Sequence, residues 1–154
     1  MGYNYDGSGE VGVMLLTSGN VITLDTFELL WDLYDDVVDL TAGSVTYEQL
    51  CLLGYNGKCT TAGSLHFWLE NRTLYNEVVA SVTDLQQQIS VTTLSDGSLV
   101  NRQRIFGDII VDANNTIIGA GGMSQTMLLG QGSEDDEANW VLEFLDYMDA
   151  VSST

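Results

Sequence analysis

The chain has 154 residues and a formal net charge of −18, from 22 acidic residues against Lys58, Arg72, Arg102 and Arg104. That balance excludes nucleic acid as a partner, since there is no basic patch to neutralise phosphates, and anionic membrane surfaces would repel the chain. A hydrophobic content of 45% supports a real core, yet no run of about 18 apolar residues is present to span a bilayer. A cationic partner, divalent ions or a salty medium would suit such a surface. Proline is absent, and no physical reason for it is evident.

Residues 1–10 are polar and glycine-rich and read as a flexible lead-in, followed by a single domain over 11–150. They hold neither a basic region nor an apolar core, so they are no signal peptide; a domain working outside the cytosol would then be a piece of something larger. The run Asn4 to Glu10 invites comparison with a calcium-binding EF-hand loop, but Leu15 stands where the bidentate Glu is needed. Val11 to Leu16 reads as a strand and Thr17 to Asn20 as a turn. A helix is expected from Asp25, with Glu28 as a capping-box partner. Its apolar face would be Phe27, Leu30, Trp31, Tyr34 and Val38, opposite a solvated face of Asp32, Asp35, Asp36 and Asp39. It should stop near Thr41-Ala42-Gly43.

Residues 46–53 form a shorter helical piece, and Ser64 to Leu69 another turn or two. Leu74 to Ile89 reads as one long helix, buried along Leu74, Val78, Val82 and Leu85. Ser95 to Ser98 is a turn. Two apolar runs, Ile105 to Val111 and Thr116 to Leu129, are joined by Asp112-Ala113-Asn114-Asn115 as a hairpin. Gly119, Gly121 and Gly122 interrupt the second run as a bulge or close backbone approach rather than a phosphate loop. Ser133 then precedes four acidic residues at a helix start, and Trp140, Val141, Phe144, Leu145 and Met148 form its apolar stripe. The order gives an α+β fold, a small antiparallel or mixed sheet with helices on one face. An unpaired sheet edge is expected, with self-association of the isolated domain as its symptom.

Both cysteines, Cys51 and Cys59, flank a short glycine-bearing loop between apolar anchors. The pair reads as a disulfide staple, which belongs to an oxidising compartment. Buried free thiols are one alternative. A metal held by Cys51, Cys59 and His66 is another, though their spacing fits no common zinc pattern. Asn71-Arg72-Thr73 and Asn114-Asn115-Thr116 are N-glycosylation sequons, which makes Asn71 and Asn114 the glycosylation candidates and favours an extracellular or lumenal face. Catalysis has little support: there is one histidine and no nucleophile-elbow serine, and nothing calls for a cofactor.

In order, these pieces resemble the first large extracellular loop of the Patched-related branch of the resistance–nodulation–division transporters, which includes the Dispatched and Niemann–Pick C-type proteins. Residues 19–38 (GNVITLDTFELLWDLYDDVV) resemble that family's entry into its long first helix. Tyr47 to Cys51, Cys59 and Phe67-Trp68 resemble its cysteine steps and the stretch after them. Phe106 to Asp108 with Ile117 to Ala120 resembles its glycine-bearing hairpin. Ala138 to Trp140 with Phe144-Leu145 resembles the helix leading back to the membrane. The match covers roughly residues 11–148 and implies a porter-like open sandwich. It further implies a non-enzymatic ectodomain of a membrane transporter or receptor, packed against the parent's second extracellular loop and contributing to a sterol or lipid conduit or a ligand-binding surface. The competing reading is a freestanding secreted acidic binding module, calcium-dependent or self-associating.

Overall fold

A computed structural model describes the side chains of residues 19–54 and 56–153 and the backbone of 10–16. Residues 1–9 of the lead-in, with them the Asn4 to Gly9 part of the EF-hand comparison, and half of the Thr17 to Asn20 turn lie outside the described residues; Glu10 already belongs to β1. The fold is α+β. In chain order it runs β1 (Glu10–Leu16), α1 (Leu24–Val38), β2 (Thr41–Ala42), β3 (Val45–Thr46), α2 (Tyr47–Leu50), β4 (Thr61–Gly63) and a 3-10 turn (Ser64–Trp68). Then come α3 (Arg72–Val78), α4 (Val82–Ile89), α5 (Arg102–Ile105), β5 (Phe106–Gly107), β6 (Ile110–Val111), β7 (Ile117–Gly119), β8 (Gly122–Leu128) and α6 (Glu134–Ser152). The largest sheet has the order β1-β8-β4, with β5 also on β8. Two small antiparallel ladders, β2 with β3 and β6 with β7, complete the strands.

The chain clusters into two compact units. The first comprises 1–13, 32–61 and 126–154, and the second 14–31 and 62–125. In the first, Tyr47, Leu50, Trp140, Val141 and Phe144 are buried. Trp140 lies 5.2 Å from Tyr47, stacks on Phe144 at 5.9 Å, and donates its Nε1–H to Leu40 O at 3.0 Å. In the second, Phe27, Trp31, Trp68 and Tyr75 form an aromatic cluster. Trp68 meets Tyr75 edge-on at 4.8 Å, and Trp31 lies 5.6 Å from Tyr75. Rings of this size dominate core burial.

Several elements differ from the sequence expectation. The cap of α1 is Thr23, whose Oγ1 accepts from Thr26 N–H at 3.2 Å. Glu28 is no capping partner; it receives Arg72 Nη2 at 2.7 Å, a surface pair worth well under about 1 kcal/mol. The buried face of α1 is Phe27, Leu30, Trp31, Leu33 and Val37 rather than one extending through Tyr34 and Val38. The helix at 46–53 is a single turn, α2.

The long helix over 74–89 is two helices. Ser81 Oγ accepts from Asp84 N–H at 3.2 Å, while Asp84 Oδ2 accepts from Ala80 and Ser81 N–H at 3.0 and 3.1 Å. That capping box starts α4 afresh. The break leaves Val78 and Val82 exposed, and Tyr75, Val79, Leu85 and Ile89 fill the buried positions. The run Ile105 to Val111 is likewise broken, into the end of α5, β5 and β6. The hairpin survives in two pieces, Phe106 opposite Met123 and Ile110 opposite Gly119. Between them Asn20 takes backbone partners of its own: its Oδ1 accepts from Ala120 N–H at 3.0 Å and its Nδ2 donates to Ile118 O at 3.2 Å. In α6, Trp140, Val141 and Phe144 are buried as expected, but Leu145 is exposed.

Candidate functional site

The clasp is built by local chain geometry. The turn of α2 ends at Cys51, whose N–H donates to Tyr47 O at 2.8 Å before the backbone becomes extended. On one side this extended piece joins the C-terminal end of β8. Leu52 N–H donates to Leu128 O at 2.9 Å, Cys51 bridges Leu129, and Gly130 N–H donates to Leu50 O at 2.8 Å. On the other side it turns back on itself. Gly54 N–H donates to Lys58 O at 2.8 Å, Leu53 bridges Cys59, and Thr60 N–H donates to Leu52 O at 2.9 Å. Gly57 adopts φ +73°, the left-handed conformation that glycine takes at no steric cost. Asn56 Oδ1 accepts from Lys58 N–H at 3.0 Å across this tip.

Cys51 and Cys59 are joined, with S–S 2.00 Å and Cα atoms 5.5 Å apart. Cys51 is fully buried and Cys59 half-buried. The disulfide removes the metal reading with His66, because neither sulfur is available as a thiolate. Among the described residues, no group of three or more His, Cys, Asp or Glu side chains could hold a metal ion. Gly130 and Gly132 flank the clasp, where a Cβ at 130 would come within 2.8 Å of Leu52 Cδ1 and one at 132 would collide with Leu50 Cδ2. The Cys51→Ala, Cys59→Ala pair is expected to lose roughly 2–3 kcal/mol of stability on the chain-entropy estimate for a loop with ends 8 residues apart. Urea unfolding of oxidised wild type and the double variant measures this, and coincident midpoints would contradict it.

Both sequons belong to the second compact unit, and both asparagines are exposed. Asn71 caps α3, its Oδ1 accepting from Leu74 N–H at 3.2 Å. Asn114 sits in the β6–β7 turn, where Asp112 Oδ1 accepts from the N–H groups of Asn114 and Thr116 at 2.8 and 3.0 Å. The Asn114 side chain itself makes no hydrogen bond among the described residues. Asn71→Ala should therefore cost about 1 kcal/mol for the lost cap. Asn114→Ala should stay within about 0.5 kcal/mol of wild type. Equal losses in thermal unfolding of the unglycosylated protein would count against this assignment.

His66 is half-buried, and its Nδ1 lies 2.7 Å from Glu70 Oε1. Glu70 and the preceding Leu69 adopt φ +58° and +53°, uncommon for residues with a Cβ. The hydrogen bond to Glu70 raises the His66 pKa above its usual 6.5, against the opposing effect of burial, with the Glu70 and Asp96 charges adding to the rise. A histidine whose pKa is raised on folding contributes stability that is fully present below about 6.5 and is lost as pH rises through the folded-state value. As the single histidine, His66 gives one Cε1–H resonance. Its NMR midpoint should lie above 6.5 and fall in Glu70→Gln, whereas a midpoint at or below 6.5 would be inconsistent with the pair.

Sequence reasoning missed the close contacts that depend on the tertiary fold. Gln125 is buried and its Oε1 accepts from Leu65 N–H at 3.0 Å; Ser64 Oγ donates to Ser124 O at 2.9 Å. A groove of about 220 Å³ runs between Gln103–Gly107 and Gly122–Ser124. It touches neither the cysteines nor the sequons, and its apolar floor offers no acid–base or nucleophilic pair. No helix among the described residues is long and apolar enough to cross a membrane. No protein-family model matches this chain, and no curated protein matches it.

Proposed function

We propose that this chain is the first extracellular loop domain of a Patched-related resistance–nodulation–division transporter. In this reading it is a non-enzymatic ectodomain that packs with the parent's second extracellular loop and contributes to a sterol or lipid conduit or a ligand-binding surface. The observation that carries the reading is the clasp. A disulfide across 8 positions of sequence fastens the segment after α2 to the returning strand at its own base, a staple suited to an oxidising extracellular or lumenal face. The order of elements supports it: long first helix, clasped loop, broken glycine-bearing hairpin, then a long last helix. The exposure of Asn71 and Asn114 supports it too, since a glycan on such a face needs an accessible asparagine.

The parent transcript tests the reading. A frame that continues past Thr154 into an apolar span of about 20 residues is the expected result. A stop codon directly after Thr154 would overturn it in favour of a freestanding secreted acidic module.

A further inference from the structure

His66 and Glu70 stand on either side of a tight chain reversal in the second compact unit. The 3-10 turn gives way there to Leu69 and Glu70, both left-handed at φ +53° and +58°. Two consecutive residues with a Cβ in that region store strain. Against the strain stand backbone hydrogen bonds: Leu69 N–H donates to His66 O at 3.0 Å, Glu70 N–H to Leu65 O at 3.3 Å and Asn71 N–H to Trp68 O at 3.0 Å. Leu65, Phe67 and Trp68 are buried and anchor the first half of the reversal. The half that can move is Leu69 to Asn71, and the 2.7 Å contact of His66 Nδ1 with Glu70 Oε1 ties it to the anchored half.

That contact depends on a proton. With His66 protonated it is a charge-assisted hydrogen bond, stronger than the neutral one left when the ring loses its proton. The Glu70 side chain is only 8% exposed, so little water compensates its charge when the imidazolium is gone. The 94–98 turn supplies a second carboxylate acting on the ring, Asp96, which also accepts from Ser98 N–H at 2.9 Å. The helices packed on the 3-10 turn, α3 and α4, carry Arg72, Glu77 and Asp84. Arg72 is paired with Glu28, Asp84 accepts from Ala80 and Ser81 N–H, and Glu77 is exposed.

We propose that the His66–Glu70 pair is a proton-operated latch, which holds residues 65–71 shut while His66 is protonated and lets Leu69 to Asn71 open locally once the proton is lost. The closed turn binds the proton more tightly than an open one, in which the ring titrates near its ordinary 6.5. The extra stability of the closed turn is therefore fully present below about 6.5 and disappears as pH rises through the closed-state midpoint. The device is independent of the transporter reading.

Amide hydrogen exchange of the oxidised protein, followed by NMR between pH 5 and 8.5 and divided by intrinsic peptide rates, tests the latch. Protection of the Leu69, Glu70 and Asn71 amides should fall with rising pH, tenfold for each unit by which the measured His66 midpoint exceeds 6.5. Urea below the unfolding transition should leave these three unchanged while exchange of the Leu85 amide in α4 accelerates, because a local opening exposes little surface. In His66→Gln, at a half-buried position, protection of the three should be low and level across the range. Glu70→Gln should shrink the midpoint shift and the fall together. Protection that ignores pH in the wild type overturns the proposal, as does a midpoint at or below 6.5. A urea response equal to that of Leu85 also overturns it, since the reversal would then open only when the whole unit unfolds.

Discussion

Trp140→Ala is expected to cost about 3–5 kcal/mol, the range for deleting a large buried ring. The indole is fully buried between Tyr47 at 5.2 Å and Phe144 at 5.9 Å. Its removal leaves a cavity lined by rings that α2 and α6 hold in place, and such walls collapse only in part. The substitution also strips Leu40 O of the Nε1–H bond at 3.0 Å. Trp140→Phe separates the two effects: it keeps most of the packing, loses the hydrogen bond, and should cost about 1–2 kcal/mol plus a smaller packing loss. Urea unfolding of the three proteins gives the ordering. An alanine variant within about 1 kcal/mol of wild type would mean that Trp140 is not a core ring.

Gly63→Ala is the second large effect, at about 3–4 kcal/mol, set by backbone strain together with collision. Gly63 joins β4 to the 3-10 turn at φ +129° and ψ −153°, a region open essentially to glycine alone. A Cβ there would collide with Ser124 O and stand 2.7 Å from Gln125 Cα, both backbone atoms that cannot swing aside. The same approach brings Ser64 Oγ and Leu65 N–H onto the first half of β8. Gly57→Ala is the matched control. It too has positive φ, +73°, but no atom lies within 4 Å of its Cβ position, so only the left-handed penalty of about 1 kcal/mol applies. Equal losses for the two alanines would show that the collision at residue 63 is relieved by movement of β4.

What could be read in the sequence was local. Ser133 before four carboxylates, followed by Trp140, Val141 and Phe144 at helical spacing, defines α6 without help from the rest of the chain. Asp112 to Asn115 contains its own turn chemistry, in the carboxylate that accepts two backbone N–H groups. The cysteine pair was legible because so short a loop lets its sulfurs meet. The long helix over 74–89 was misread because apolar residues at 74, 78, 82 and 85 keep helical period straight through the break. The correcting signal was the Ser81-x-x-Asp84 capping box, and periodicity outweighed it. The Thr23 cap of α1 was overlooked because Asp25 and Glu28 offered a second plausible pattern two residues on.

Other features depend on chain neighbours too distant for any local pattern to register. Asn20 meets Ala120 across 100 positions of sequence, and Gln125 meets Leu65 across 60. Nothing around Gly63 marks it as irreplaceable until β8 lies against it. Within the candidate site, the residues of the clasp could be named in advance. Its seating on the end of β8 could not, because Leu128 and Leu129 are far away in the sequence and look like ordinary strand residues.

We propose that this domain lies on the outward or lumenal side of a membrane, as part of a longer transporter. Alkaline carbonate extraction of cells expressing the complete reading frame, read with an antibody to this domain and with glycosidase treatment, tests that placement directly. The domain is expected to stay in the membrane pellet, to shift in mass when glycans at Asn71 and Asn114 are removed, and to take up no alkylating label at Cys51 or Cys59 before reduction. Release into the soluble fraction as an unglycosylated polypeptide with two free thiols would contradict it.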